Sequence, residues 1–189
     1  MKKKIFIGLG VVATLFIGWV VYGLFIATPK SPSTSASISD NGLDISVTYS
    51  QPSKRGRLIF GEEKDGALQP YGKYWRLGAN AATEITFSKN INFMGKPVNA
   101  GTYRMYAVPG ANSFMIFLNS ELGVTFSAAS EPDHSLDVIS IEAPVETSPT
   151  ESEMFTINFE SYPDGVMMNF VWGKTLFGVP IKTSAVEFR

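Results

Sequence analysis

The chain is 189 residues long, carries sixteen Lys and Arg against seventeen Asp and Glu, and contains one histidine and no cysteine. That length leaves room for one domain and an appendage, and the composition excludes disulfides, thiolate chemistry and any metal site built on several histidines. With no basic stripe to neutralise phosphates, nucleic acid is a poor partner.

The appendage comes first. Lys2, Lys3 and Lys4 precede an uncharged run of 23 residues, Ile5 to Ala27. At helical rise it would reach roughly 34 Å, enough to cross a bilayer core of about 30 Å. Trp19 and Tyr22 lie toward its far end, where amphipathic rings favour the interface. A cleaved signal peptide has a shorter apolar core and ends in a small-x-small site, whereas Phe25-Ile26-Ala27 offers a bulky residue. The expectation is a cytoplasmic N-terminus at 1–4 and a single-pass transmembrane helix at 5–27 in the inner (cytoplasmic) membrane. Lysines on the cytoplasmic side place the remainder outside, in the periplasm. Residues 31–189 hold twelve positive against seventeen negative side chains, a net of −5. "TPKSPSTSAS", residues 28–37, is rich in Pro and Ser and reads as a flexible tether, which puts the folded domain at 38–189.

From there the apolar residues alternate. "LDISVTY", "EITFSKNINF", "TYRMYAV", "SFMIFL", "DVISIEA", "MFTINFE" and "VMMNFVW" each have the period of a half-buried strand and are bounded by turn residues. "MGKP" at Met94 to Pro97 and Asp164-Gly165 are hairpin turns. No helical period follows the tether. About eight to ten short strands predict an all-β domain, an antiparallel β-sandwich of jelly-roll or immunoglobulin-like type, with a β-barrel as the alternative. Trp172, Phe159, Phe117 and Tyr103 are the expected inward rings.

One stretch concentrates chemistry. "YGKYWRLGANAATEITF", Tyr71 to Phe87, runs from aromatic and cationic residues through a bend of small ones into a strand. Two readings stay open. In the first, Arg76 forms an internal pair with Glu84 or bonds loop carbonyls, and the segment is a structural corner. In the second, Arg57, Tyr71, Lys73, Trp75, Arg76, Asn80 and Glu84 supply a ligand-binding surface, with small residues admitting a ligand to the backbone.

Together with "YSQPSKRGRLIFG", "SKNINFMGKPVNAGTYRMYAVPG" and the tryptophan of "NFVWGK", this stretch resembles the DUF2911 family. The resemblance is strong over Leu43 to Asn119 and weaker over Met154 to Ile181. The family pattern falls here on Tyr49, Pro52, Arg57, Tyr71, Gly72, Trp75, Arg76, Gly78, Asn80 and Trp172, among others. Phe114 departs from it, standing where the family commonly has Trp, as does the segment from Val124 to Asp137. The resemblance implies an exported or membrane-anchored bacterial domain and no established activity.

Catalytic patterns are missing. There is no nucleophile elbow and no phosphate loop, so no cofactor and no metal are expected. Asp133, His134 and Asp137 cluster in "EPDHSLD", and Glu62-Glu63 and Glu151-Glu153 are paired carboxylates; all read as solvated surface. The function these features favour is a non-catalytic binding or interaction module of the cell envelope. The alternatives are an enzyme acting on an envelope carbohydrate or small molecule, and a purely structural domain.

Overall fold

The computed structural model describes residues 2–22, 31–125 and 131–184. It divides into two compact units, Met1–Lys30 and Ser31–Arg189. The first holds one helix, α1 (Lys2–Val21), whose Leu15, Phe16, Ile17 and Trp19 are all exposed. Among the described residues no helix is long and apolar enough to cross a membrane. The expected span is therefore not found as such: α1 takes the three lysines into its first turn, and positions 23–27 of the apolar run lie outside the described residues.

The second unit is all β. Nine strands join in one sheet: β1 (Ser33–Asp40), β2 (Leu43–Ser50), β5 (Thr83–Phe87), β6 (Ile91–Phe93), β7 (Lys96–Val98), β8 (Gly101–Val108), β9 (Ser113–Asn119), β10 (Asp137–Tyr162) and β11 (Gly165–Thr183). Their order is β1-β2-β5-β8-β9-β10-β11-β6-β7, every pairing antiparallel. Two short strands, β3 (Phe60–Gly61) and β4 (Gln69–Pro70), pair in parallel beside it.

The expected two-sheet sandwich is thus one continuous sheet that folds over, and the barrel alternative fails because β1 and β7 remain as its edges. The fold is made in β10 and β11. The first part of β10 bonds to β9 and the rest to β11, with register shifts between Thr147 and Thr156. β11 bends at Gly173, where φ is 61°. The rings of Phe170 and Phe177 then stack at 4.6 Å, and a side chain at Gly165 would collide with the Ile181 carbonyl. In a straight strand Gly165 and Ile181 would be roughly 50 Å apart.

Where the two arms of the sheet meet, their rings interdigitate. Phe114 of β9 lies 4.7 Å from Phe177 of β11, Phe87 of β5 lies 6.0 Å from Phe93 of β6, and Tyr49 of β2 lies 5.6 Å from Phe155 of β10. Alternation selects these residues. In β2 the pattern of buried and exposed side chains is strictly period two until Ser50, as a sheet wet on one face requires. Of the four expected inward rings, Trp172 is fully buried, and Tyr103 and Phe159 are partly buried against the core. Phe117 is half-buried on the opposite face, where it stacks on Tyr106 at 4.7 Å, because Phe114, Ile116 and Leu118 take the inward positions of β9.

Three element boundaries differ from expectation. Residues 33–37, read as tether, belong to β1, which pairs with β2 along its full length. The hairpin is closed by Asn41-Gly42 at φ 49° and 74°, the conformation in which Asn-Gly is favoured. "EITFSKNINF" is two strands on different arms, β5 and β6, and "DVISIEA" and "MFTINFE" are one, β10. The turn at Met94-Gly95 is as expected, with both φ angles positive.

Candidate functional site

Trp75 is where the opening motif meets the sheet. Its backbone exchanges two hydrogen bonds of 2.8 Å with Ala107 at the end of β8, and the Gly72 N–H donates to the Pro109 carbonyl at 2.8 Å. The segment is thereby pinned and its indole driven into the core. There Trp75 stacks on Trp172 with centroids 5.9 Å apart and meets Phe60 and Phe155 edge-on at 5.2 and 5.0 Å.

Beyond Trp75 the chain turns tightly. Leu77 is fully buried at a φ of 52°, a left-handed conformation costing about 1 to 3 kcal/mol for such a residue. It is held by the Thr83 hydroxyl, which donates to the Leu77 carbonyl at 2.7 Å. At Gly78 a Cβ would lie 2.8 Å from the Ser50 carbonyl. The glycine is needed for the loop's own packing on β2, and ligand access does not explain it.

The loop borders a half-open cavity of about 300 Å³ lined by Ser31, Pro52, Arg57, Leu68, Gln69, Tyr74, Trp75, Arg76, Gly78, Ala79, Asn80 and Trp172. That volume is at the small end of ligand pockets. Arg57, Trp75, Arg76 and Asn80 of the expected surface come together here with Trp172, which lies 92 to 115 positions further along the chain. Tyr71, Lys73 and Glu84 do not line it. The Tyr71 N–H is taken by the Gly61 carbonyl, and Lys73 forms an exposed ion pair with Glu63 at 3.7 Å. Glu84 sits on β5 opposite Arg104 and accepts the Gly123 N–H at 2.7 Å. The anticipated Arg76–Glu84 pair is therefore absent among the described residues. Arg76 instead donates from Nη1 to the Asn80 carbonyl at 2.9 Å, and the Asn80 side chain donates to the Ser31 carbonyl at 3.2 Å.

Two indole donors beneath the cavity are cut off from solvent. Trp75 and Trp172 are each 2% exposed, yet neither indole Nε1 has an acceptor among the described residues. Buried donors are nearly always paired, and leaving one unpaired costs about 1 to 3 kcal/mol. Arg57 uses its Nε and Nη2 on the Lys54 and Ser53 carbonyls, which fixes the guanidinium without neutralising it. No Asp or Glu is among the described residues that line the cavity. Tyr74 and Trp172 were not among the expected ligand-binding residues. Trp172 carried a signal all the same, as a lone tryptophan in the weaker half of the family pattern.

A second polar cluster lies on the outer face of β8 and β9. Arg104, 2% exposed, bonds Glu121 at 2.5 Å and the Tyr74 hydroxyl at 2.7 Å. The fully buried Tyr106 donates to Asp137 at 2.7 Å and lies 2.9 Å from His134 Nδ1. Asn119 donates to Asp137 and to the Asp133 carbonyl at 2.8 and 2.9 Å and accepts the Glu121 N–H at 2.8 Å. "EPDHSLD" is thus tied to the sheet and is only partly solvated loop. Burial, then the hydrogen bond to and the charge of Asp137, push the Tyr106 phenol well above its ordinary value. Among the described residues no group of three metal-binding side chains converges.

No curated protein and no solved structure matches the chain. A family model described as "Protein of unknown function (DUF2911)" matches residues 31–181, a span that runs from the first lining residue of the cavity to the end of its aromatic floor and beyond, and the chain belongs to that family.

Proposed function

We propose that this protein is a non-catalytic binding module for a small ligand, held at the outer face of the cytoplasmic membrane by residues 5–27. The observation that carries the binding reading is a cavity holding two arginines, each oriented by backbone carbonyls, with no Asp or Glu among its described lining residues. A site of this kind needs no nucleophile and no acid–base pair. It needs a rigid donor array, and the main-chain bonds of Trp75 and the carbonyl bonds of Arg57 and Arg76 supply one. The anchoring reading rests on the uncharged run and its leading lysines.

Thermal melts of the full chain in detergent, against a panel of small sugars, sugar acids and amino-acid derivatives, test the first part. A ligand at a hundred times its Kd adds about 2.7 kcal/mol. Ala79→Trp, a change on the cavity wall, should abolish that stabilisation. If every compound leaves the melt unchanged, or if Ala79→Trp responds as the parent does, the cavity is not a binding site. For the second part, protease added to spheroplasts should remove the β domain and leave the N-terminal segment in the membrane. A domain recovered in the soluble periplasmic fraction would overturn the anchor.

A further inference from the structure

We infer that the cavity takes a small organic acid made of one carboxylate on one ring, an inference that rests on the binding reading above. The first argument is charge. Residues 31–189 carry a net of −5, yet the described lining residues include two arginines, no acidic residue, and otherwise neutral polar or apolar side chains. In a domain this acidic, an acid-free cavity with two guanidiniums is a local reversal of sign, and a low-dielectric wall of indoles strengthens it.

The second argument is donor count. A guanidinium has five N–H donors and no acceptor. Arg57 uses Nε and Nη2 on backbone carbonyls and Arg76 uses Nη1, so each is oriented while keeping donors in reserve. What is missing is an acceptor-rich, donor-poor group. A carboxylate answers this, since its two oxygens match the planar fork of a guanidinium.

The third argument is shape and polarity. Trp75 and Trp172 lie nearly parallel, 23° apart, and with Leu68 and Pro52 give the cavity an apolar component. Bare phosphate would leave that surface uncovered, whereas a ring would cover it, and about 300 Å³ admits a single ring with its acid. The ring is either the apolar face of a sugar acid or an aromatic acid; both present the same carboxylate.

The chain has three tryptophans, and Trp19, on α1, is the one outside the cavity lining. In a full-length Trp19→Phe variant in detergent, indole emission therefore reports on the cavity alone. Glucuronate, benzoate, glucose and inorganic phosphate are the probes. One of the two ring carboxylates should shift the emission saturably, and which one does so identifies the source of the ring. Glucose and phosphate should need at least tenfold higher concentration. Arg76→Gln should weaken the carboxylate at least tenfold, Arg76→Lys should recover part of the loss, and both should melt within a few degrees of the parent. Glucose matching glucuronate, with Arg76→Gln without effect, would overturn the carboxylate assignment and leave the binding reading standing. Silence from all four probes would also overturn it, while a hit in the thermal panel that Ala79→Trp abolishes would keep the cavity as a site for a different ligand.

Discussion

The outer cluster around Tyr106 and the cavity around Trp75 and Trp172 adjoin through one side chain, Tyr74, and they treat burial in opposite ways. In the outer cluster the buried side chains are tied to one another and to the backbone: Tyr106 bonds Asp137, Asn119 bonds Asp137 and the Asp133 carbonyl, and Arg104 bonds Glu121 and the Tyr74 hydroxyl. At the cavity two indoles are equally buried, with no acceptor among the described residues. A closed network fixes a unique fold, and an open one costs stability unless something else completes it. The more conspicuous cluster, with its histidine, carboxylates and tyrosine, is accordingly the structural one. The plainer cavity is the place to look for function.

That contrast breaks most readily at Arg104. Arg104→Met should destabilise the full chain by roughly 3 kcal/mol, the low end for splitting a buried pair because Glu121 stays partly exposed; urea unfolding measures it. A loss below about 0.5 kcal/mol would mean that the outer cluster holds nothing together. Tyr106→Phe should cost about 2 kcal/mol, the range for a hydrogen bond to a charged acceptor, read from the same experiment.

The pH dependence sharpens the picture. An exposed tyrosine ionises at about 10, and in the fold Tyr106 holds its proton beyond that point. The unfolded chain releases it first. Stability is therefore full below pH 10 and falls as the pH rises above it, at up to about 1.4 kcal/mol per pH unit for this group. Burial acts on Tyr49 and Tyr103 in the same direction, so Tyr106→Phe should reduce the alkaline slope without flattening it. Equal slopes in the parent and the variant would contradict the assignment.

The smallest effect is expected at Arg76. Among the described residues it bonds the carbonyl of Asn80, itself exposed, so Arg76→Met should change stability by no more than about 0.5 kcal/mol. A loss of 2 kcal/mol in a thermal or urea melt would make this arginine as structural as Arg104 and erase the difference between the two regions.

The sequence resolved strands wherever side chains of contrasting polarity alternate. It misled where they do not. β1 reads Ser-Thr-Ser-Ala-Ser-Ile-Ser-Asp, a strand without hydrophobic contrast, and only Asn41-Gly42 betrays its hairpin. β5 and β6 share one unbroken alternation although Ser88 to Asn90 carries the chain from one arm to the other, because period two encodes a face and is silent about which sheet presents it. The same rule explains the site. Arg76 and Glu84 are eight positions apart, but Thr83, Ile85 and Phe87 face inward on β5 and so turn Glu84 to the outside, away from its presumed partner. Arg57, Trp75, Arg76 and Asn80 were readable as a cation and aromatic group around a tight bend. Trp172 joins them only through the bend in β11, which no local pattern announces.

The cavity draws on segments far apart along the chain. Near it, Tyr49 Oη accepts the Ile157 N–H across 108 positions, Gln51 reaches Thr156 across 105, and Ser53 bridges Met154. Loops of that length close slowly, and folds dominated by such pairings form in milliseconds to seconds. Trp172 is on β11, the last strand of the sheet in chain order, so the tryptophan stack cannot assemble until that strand has docked against β10. The tryptophan stack then serves as a clock for folding: the emission change that marks burial of Trp75 and Trp172 should come with the slowest refolding phase, after the hairpin of β8 and β9 has already formed.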